Sequence, residues 1–507
     1  MPAKLPEGYV GALDIGTSSV RALLFDTAAR QVPGVEVHLP YQPKVARDGT
    51  YETDAGRLLG LVRTAVDGLL LQAGADRGDR IRAIGISTFW HGLVAADEAG
   101  RPLTPVYLWA DTRSWRQSDE LRGKLDAEAI HQQTGCLIHP TYWPAKLLWL
   151  KATQPELWRR RPRWLSFWDM VRQRLFGLPL TSLSMASGTG LIDLATCSWN
   201  SHLLSILDVG EDQLPGISDA AQGLRDPYAV RWPALKDVPW VGAAGDGALA
   251  NLGSNCVDPS QRALTVGTSG ALRVLYRGLP EHVPEGLWCY RLDRRRVVVG
   301  GALSNGGNLY AWMTRNLAVD RPTLEARLRR MQPAATGLTF VPLLAGERSP
   351  GFASHATGSI AGLTQATTAT DVVRAGLEAT AIEFRRVDQR LDVVLPGARR
   401  LVGNGAGLLA SPAWMQIMAD AIGKPVAESK AGEASSRGAA IFAAEHIGAL
   451  NGDRLKTEVG RTYHTNPAAH AAYTIQMARQ EELYRLLVRE RALDAILKDR
   501  PATGGNE

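Results

Sequence analysis

The stretch YVGALDIGTSSVRALLF, residues 9–25, places two apolar runs on either side of a polar turn at residues 14–19. This pattern is typical of a strand, a tight turn and a second strand. Glycine lets the backbone turn sharply and approach a ligand, while Thr and Ser offer hydroxyl and amide donors to an anion. Taken alone, such a turn is more typical of an ordinary hairpin than of a phosphate site.

A second turn of the same chemistry lies about half the chain further on. Gly267-Thr268-Ser269-Gly270 separates apolar runs at residues 263–266 and 271–276. One such turn in each half of the chain predicts two clamps on a single polyphosphate, and with them phosphoryl transfer between two lobes. Each half opens with strand, turn, strand and adds helices later, which predicts a duplicated α/β unit without a sequence repeat.

The length of 507 residues is too great for one core and predicts two or three domains. Hydrophobic residues make up 45% of the chain and charged residues 21%, an ordinary globular composition. Periodicity predicts strands at residues 9–26, 81–95, 263–266, 271–276, 296–300 and 400–402, and helices at 55–72, across much of 114–174, and at 248–252, 305–331, 371–391 and 412–422. A polar tail is expected at residues 499–507.

Composition also restricts the class of protein. The short polar N-terminus predicts no secretory signal, and no apolar stretch approaches the roughly 20 residues of a membrane span. Four scattered cysteines are typical of reduced thiols in a cytoplasmic protein. The net charge is +6, with basic runs at residues 159–163 and 294–296. Solvated faces explain these runs better than a nucleic-acid surface, so we expect small-molecule ligands, no nucleic acid and no membrane, with a homodimer compatible with the sequence.

Asp246 is the best candidate for a general base. It lies between two glycines, after an apolar run and before a helix, so little side-chain bulk separates it from a ligand. An N-cap for the helix beginning at Ala248 explains the same local pattern equally well. Asp14, at the end of the first strand, is placed to face Mg²⁺ through water, although a carboxylate that accepts the turn amides is the alternative.

Longer motifs resemble the FGGY family of carbohydrate kinases. Residues 358–363 (GSIAGL) and 371–378 (DVVRAGLE) nearly fit the family's C-terminal signature, with Gly376 as a departure. Residues 146–149 (KLLW) represent the N-terminal signature, although Trp143 stands where a small residue is expected. Residues 14–21 and 265–270 match the two phosphate motifs, and residues 401–411 match the adenosine region. The resemblance covers about residues 9–450.

The resemblance implies a two-lobed α/β fold of the actin-like, sugar-kinase (ribonuclease H-like) type, with the catalytic cleft between the lobes. Residues 1–255 would form the N-terminal lobe, with the sugar site, the first phosphate loop and the base. Residues 256–490 would form the nucleotide-binding C-terminal lobe. Residues 491–507 would be the end of a C-terminal helix and a flexible tail.

The resemblance also implies roles for single residues. Asp246 would be the catalytic base, Asp14 would face the metal, and ATP and Mg²⁺ would be co-substrate and cofactor. The residues expected to contact the nucleotide are Thr17, Ser18, Ser19 and Arg21 on one side of the phosphates, Gly267 and Thr268 on the other, and Gly307, Gly405, Ala406 and Ser411 near the nucleoside. The residues expected at the sugar are Trp90, His91 and Trp109, with Asp111 and Arg113 behind or beside them.

Shorter strings near residues 138, 184, 301 and 344 are similar to gluconokinases within the family. They imply ATP-dependent phosphorylation of a terminal hydroxyl, most simply D-gluconate to 6-phosphogluconate. Gly245 departs from the serine usual there, and Gly405-Ala406 replaces a usual Gly-Gly pair. A kinase for another polyol or ketose, xylulose first, remains the alternative, and a non-catalytic nucleotide-dependent binder of the actin-like fold is a third.

Overall fold

The computed structural model describes residues 8–353 and 356–492. The predicted terminal segment 491–507 therefore lies outside the described residues, apart from its first two positions.

Two lobes follow one another along the chain. The strands of the first half are β1 (Tyr9–Ile15), β2 (Ser19–Asp26), β3 (Gln31–Pro40), β4 (Lys44–Val45), β5 (Tyr51–Thr53), β6 (Ile81–Thr88), β7 (Val94–Ala96), β8 (Val106–Tyr107), β9 (Arg163–Leu165), β10 (Leu180–Thr181), β11 (Ile192–Asp193), β12 (Ser198–Trp199), β13 (Gly216–Ile217) and β14 (Ala244–Gly245). Its helices are α1 (Ala55–Gly78), α2 (Trp115–Lys124), α3 (Ala127–Thr134), α4 (Trp143–Thr153), α5 (Pro155–Arg159), α6 (Phe167–Phe176), α7 (Leu183–Ser187), α8 (Ser201–Leu207), α9 (Tyr228–Arg231) and α10 (Asp246–Gly253).

The second half is built from fewer and longer elements. Its strands are β15 (Gln261–Val266), β16 (Gly270–Arg277), β17 (Trp288–Arg291), β18 (Arg296–Leu303), β19 (Thr339–Val341), β20 (Ser359–Ala361), β21 (Arg400–Asn404), β22 (Val426–Ser429) and β23 (Val459–Tyr463). Its helices are α11 (Gly307–Asn316), α12 (Arg321–Arg330), α13 (Ala369–Val394), α14 (Ala406–Leu409), α15 (Pro412–Ile422), α16 (Ala434–His446) and α17 (Pro467–Tyr484).

The two main sheets share one plan. In the first, the strand order is β14-β6-β1-β2-β3, with β1 antiparallel to β2 and parallel to β6. In the second, the order is β17-β18-β16-β15-β21-β22-β23, with β15 antiparallel to β16 and parallel to β21. The duplicated α/β fold predicted from the two turns is therefore confirmed, and each turn joins the first two strands of its sheet.

Several boundaries differ from the sequence prediction. The helix expected over residues 305–331 is two helices, because Pro322 begins α12 near its first position, where proline is favoured. The apolar run at 238–244 forms a strand only at its end, as the two-residue strand β14, and makes an isolated bridge further upstream, between Trp240 and Ile84 of β6. Helix α10 begins at Asp246, with Gly245 as its N-cap, so Asp246 is not the N-cap that the alternative interpretation required.

Helix α1 is the one described helix whose length and composition would suit a membrane span, which the sequence prediction did not anticipate. Its burial pattern is that of an amphipathic helix packed on a sheet. Leu58, Val62 and Leu69 lie buried in the core of the N-terminal lobe, while Leu71 on another face is exposed. The helix packs on β2 and β3, so its apolar stripe is covered by the sheet.

Helix α16 belongs to the second half of the chain but packs on the first. It contacts α10, β6 and β1, and its alanines join the core of the N-terminal lobe. Backbone approaches backbone here, because a Cβ at Gly85 would lie 2.0 Å from the carbonyl oxygen of Ala439. Likewise, a Cβ at Gly438 would lie 1.9 Å from the carbonyl oxygen of Leu249. The lobes are thus joined by a tightly packed helix pair.

Candidate active site

The carboxyl ends of three parallel strands meet at one edge of the first sheet. Strand β1 ends beside Asp14, β6 runs into Trp90 and His91, and β14 ends directly before Asp246. Ligands bind at this edge in open α/β sheets, since the strand ends leave a crevice there. A cavity of about 620 Å³ opens at this point, between the two lobes.

The two Gly/Thr/Ser turns face this cavity from opposite lobes. Thr17 and Ser18 line it from the first turn, and Gly267 and Thr268 line it from the second. The second turn is held from behind, because the amides of Gly307 and Asn308 donate to the carbonyl oxygens of Gly267 and Thr268, each at 2.9 Å. This arrangement offers backbone and hydroxyl donors to an anion from two sides.

Asp246 lies at the cavity wall, at the first position of α10. One carboxylate oxygen accepts the amide of Gly247 at 2.7 Å. Burial raises the pKa of Asp246, and the positive charge of Arg273 opposes that rise. The carboxylate is thus close to open space and is kept basic by its surroundings, as a general base requires.

Asp14 is a buried carboxylate beside the same cavity. Burial raises its pKa to about 6, the nearby side chain of Ser87 opposes the rise, and the charge of Asp246 adds to it. Its Oδ1 is buried without a hydrogen-bond partner among the described residues. A buried, unpartnered carboxylate oxygen next to the two Gly/Thr/Ser turns fits a divalent cation or its water shell.

Aromatic side chains from both lobes form the inner wall. Trp90 lies 4.8 Å from Tyr290, ring centroid to ring centroid, and Trp288 stacks on Tyr290 at 4.4 Å. The indole of Trp90 donates to the carbonyl oxygen of Ser184 at 2.9 Å, which fixes its orientation. The wall therefore depends on contact between β17 of the second lobe and the end of β6 in the first.

Two histidines in the wall are neutral donors or acceptors. His91 adopts a left-handed backbone conformation with φ of 68°, and its Nδ1 donates to the carbonyl oxygen of Gly188. His139 has a buried Nε2 without a partner among the described residues. Burial lowers the pKa of both rings well below the usual histidine value, so neither supplies a positive charge near neutral pH.

Over residues 9–253 the sequence matches the N-terminal domain of the FGGY family of carbohydrate kinases, and over residues 263–446 it matches the C-terminal domain. The chain belongs to the FGGY family of carbohydrate kinases. The resemblance seen in the sequence motifs is thus confirmed.

Individual relatives of this FGGY kinase differ in substrate. It is similar to gluconokinase from Bacillus subtilis (strain 168), 28% identical over 482 residues that cover 92% of this chain and 93% of the relative. The solved gluconate kinase from Lactobacillus acidophilus is 26% identical, with a TM-score of 0.87 and coverage of 95% and 98%. A ligand-bound xylulose kinase from the same organism gives the same four values. The fold and the carbohydrate kinase class are shared by all three.

Two arginines of this FGGY kinase line the cavity and were missed from the sequence. Arg273 projects from β16, and Arg348 follows Glu347 in the string at residues 344–350. The guanidinium of Arg348 lies over the ring of Trp109 at 4.8 Å. Among the described residues neither guanidinium makes an ion pair, and the Nε of each is buried without a partner. The one available signal was that Arg348 lies inside a string already matched to the family, whereas Arg273 lies three residues beyond the matched motif at residues 265–270.

Glycines make room for Arg273. A Cβ at Gly247 would lie 2.4 Å from its Nη1, and a Cβ at Gly300 would lie 2.8 Å from its Cγ. The glycine after Asp246 therefore opens the path by which a cationic side chain from the second lobe approaches the candidate base. Burial lowers the pKa of Arg273, while the charge of Asp246 opposes that change.

Asp111 and Arg113 lie behind the cavity and do not line it. Arg113 donates to Asp111 and to Glu52, each at 2.6 Å, and lies over the ring of Trp149 at 4.7 Å. Its charge is thus already compensated, and the pKa of Arg113 is raised by these carboxylates. The pair anchors the loop that presents Trp109, which does line the cavity.

The other predicted nucleotide contacts lie near the second turn or outside the cavity wall. A Cβ at Gly307 would lie 2.3 Å from the carbonyl oxygen of Gly267, and one at Gly405 would lie 2.4 Å from that of Val266. Gly405 needs its glycine because its φ is 89°, whereas Ala406 is helical, which explains why alanine is tolerated there.

Two further predicted contacts have other partners, and a third is buried. Ser411 caps α15 and donates to Glu325 at 2.7 Å. Arg21 pairs with Glu433, at the start of α16, and Ser19 is buried at the start of β2. Their roles toward a nucleotide stay predictions.

Proposed function

We propose that this chain transfers the γ-phosphoryl group of ATP to the terminal hydroxyl of a sugar acid, with D-gluconate as the substrate. An acidic substrate is supported by two guanidiniums without an ion pair, those of Arg273 and Arg348, in the cavity that also holds Asp246. A neutral ketose or polyol has no charge to compensate them, whereas a carboxylate would form charge-assisted hydrogen bonds with them.

The residues divide into three groups in this mechanism. The turns at Thr17–Ser18 and Gly267–Thr268 would hold the polyphosphate, and Mg²⁺ near Asp14 would offset its charge. The aromatic wall with Trp90, together with neutral His91 and His139, would hold the sugar chain by packing and hydrogen bonding. Asp246 would accept the proton of the attacking hydroxyl as its oxygen bonds to the γ-phosphorus and ADP leaves.

Residues of both lobes form the aromatic wall, as expected if the lobes close on the substrate. Trp288 and Tyr290, on β17 of the second lobe, contact Trp90 of the first lobe. Closure of the lobes around substrate would exclude water from the cavity, and that limits hydrolysis of ATP. Xylulose kinase activity is the second candidate, supported by the equally similar xylulose kinase structure.

The first test is a screen of ATP consumption with gluconate, xylulose, ribulose, glycerol and erythritol, for wild type and for Arg273→Gln. We expect gluconate to be preferred by the wild type. A hydrogen bond to a charged group is worth about 1.5–3 kcal/mol, so kcat/KM for gluconate should fall roughly 10- to 100-fold in the variant, with little change for neutral sugars.

Arg277→Gln is the matched control, because Arg277 lies on the same strand, faces solvent and pairs with Asp453. It should behave as wild type. Turnover of xylulose with none of gluconate would end the gluconate proposal. An equal loss for neutral and acidic sugars in Arg273→Gln would remove Arg273 from carboxylate recognition.

A further inference from the structure

A second cavity, of about 280 Å³, lies on the C-terminal lobe and shares no lining residue with the active-site cavity. Its walls are the end of α12, one face of α15, the end of β23 and the start of α17. Three exposed arginines, Arg329, Arg330 and Arg461, line it. No ion pair of any of the three is found among the described residues.

The arginines converge from separate elements. The guanidinium of Arg461 lies over the ring of Tyr463 at 4.7 Å. The positive charges of both Arg461 and Arg329 oppose the rise that burial causes in the pKa of Tyr463, which places both near one phenol oxygen. Arginines in the last turn of α12 alone would be explained by the helix dipole. Arg461 comes from a strand, so the dipole does not explain its position.

The base of the cavity is built from compensated groups. Arg374 is buried and donates to Glu378 at 2.6 Å, to the carbonyl oxygen of Leu328 at 2.9 Å and to the hydroxyl of Tyr473 at 2.8 Å. Because its partners are in place, Arg374 stiffens the floor and leaves the rim arginines as the uncompensated charge. A rim of three positive charges above a rigid floor favours a compact dianion.

Asp420 adds a polar acceptor to the same cavity. Its Oδ1 accepts from the backbone amide of Asn466 at 2.8 Å and from the side-chain amide of Gln416 at 3.0 Å. Asp420 lines the cavity, and no hydrogen bond to its Oδ2 is found among the described residues, so this oxygen is available to accept from a hydroxyl. The set of arginines and one carboxylate therefore matches a phosphate and a hydroxyl on one small molecule.

We propose that this cavity is a binding site for a small hydroxylated phosphate monoester, distinct from the catalytic cleft. Its volume is near the low end of the range for small-molecule sites, which suits a phosphorylated compound of three to six carbons. The phosphate would be held by Arg329, Arg330 and Arg461, and a hydroxyl would donate to Asp420. The proposal does not depend on which sugar the kinase phosphorylates.

Helix α12 connects this site with the predicted nucleotide region. Glu325, one turn before the rim arginines, accepts from the hydroxyl of Ser411 and from the amide of Ala413, each at 2.7 Å. A ligand that fixes the end of α12 would therefore also fix the loop before α15. The stabilisation would follow mass action, since the ligand binds only the folded chain.

The test is calorimetric titration of the full chain, saturated with MgADP and gluconate, with glycerol 3-phosphate as the probe. We expect one saturable site per chain, weakened at least tenfold in Arg329→Gln/Arg461→Gln and by added salt. The control double variant, Arg295→Gln/Arg327→Gln, removes two exposed arginines outside the cavity and should bind as wild type.

Two comparison probes test the chemistry. Glycerol should not bind, because it lacks the anion, and lactate should bind at least tenfold more weakly, because it carries a single charge. Absence of saturable binding up to millimolar probe, equal binding by the rim variant, or equal affinity for lactate would each overturn the proposal. A thermal-shift titration of the rim variant verifies that it is folded, since both substitutions are at exposed positions.

Discussion

At the scale of single residues, the space around Trp90 explains a departure from the gluconokinase pattern. A Cβ at Gly245 would lie 1.8 Å from Cε2 of this indole, and one at Gly188 would lie 2.3 Å from its Cδ1. The indole therefore lies between two glycine backbones, and serine at position 245 would displace it. Gly245 thus leaves space for the ring of Trp90, and Gly247 leaves space for the side chain of Arg273.

Asp246→Asn tests the candidate base at the same scale. The amide keeps the size of the side chain but cannot accept the hydroxyl proton, so we expect kcat to fall about 10²- to 10⁴-fold. Binding of an ATP analogue should change little, because the phosphate turns remain intact. Steady-state kinetics and analogue titration measure the two effects separately.

Asp258→Asn is the control for this substitution, because Asp258 is exposed and its side chain accepts from a neighbouring turn amide. Near-normal turnover in Asp246→Asn would show that another group removes the proton.

At the scale of elements, α4 holds one side of the cavity through a buried amine. Lys146 lies one turn into the helix and donates to the carbonyl oxygens of Pro140 and Thr141. The same loop presents His139 and Thr141 to the cavity. Burial lowers the pKa of Lys146 to about 7, which the charge of Asp111 opposes. The helix thus fixes the loop through hydrogen bonds that a neutral amine can also make.

The lowered pKa predicts a pH dependence of stability. Between about pH 7 and the ordinary lysine pKa, the unfolded chain holds a proton on Lys146 that the folded chain has released. The contribution of Lys146 to the free energy of unfolding therefore rises as the pH increases through this window. Urea unfolding at pH 6.5 and pH 9 should show wild type gaining stability relative to Lys146→Met.

Lys151→Met is the control on the same helix, where the lysine pairs with Asp208 at the surface. Its difference from wild type should be similar at both pH values. A parallel response of Lys146→Met and wild type would show that Lys146 stays charged in the folded chain.

Local chemistry explains which parts of the site could be predicted. The turns around Thr17 and Thr268, and Asp246 between two glycines, carry their signal within a few residues. Arg273 does not, because its approach to Asp246 depends on the pairing of two lobes and on space left by Gly247 and Gly300. Arg113 is expected behind or beside the sugar residues, and the structure places it behind the cavity wall, where it pairs with Glu52, a carboxylate too distant in sequence to give a local sign.

At the scale of the whole molecule, the packing partner of α16 could likewise not be predicted from local sequence. Its alanine-rich sequence predicts a helix, yet periodicity does not say which sheet it covers. It covers the first sheet, across the lobe boundary placed at residue 255. That boundary stays a prediction, and the core of the N-terminal lobe draws on residues up to Ala449.

Gly438→Ala tests this contact between lobes. The added methyl group would meet the carbonyl oxygen of Leu249 at 1.9 Å, and the backbones must separate. Overpacking of this kind costs about 1–3 kcal/mol. We expect a lower melting temperature and, because the helix pair joins the lobes, one common transition for both.

Gly432→Ala is the control, since a Cβ at Gly432 meets nothing within 4 Å. It should melt as wild type. Equal melting temperatures for the two variants would show that the close approach of α10 and α16 does not hold the lobes together.

The position of α16 also has a consequence for folding of the chain during its synthesis on the ribosome. Once residue 253 has been made, 193 further residues, 254–446, must follow before the helix that covers β1 and β6 is complete. At ordinary synthesis rates of about 5–20 residues per second, this takes roughly 10–40 s. During that interval the face of the first sheet that α16 covers stays exposed, and exposed apolar surface of this kind makes a nascent chain prone to aggregation.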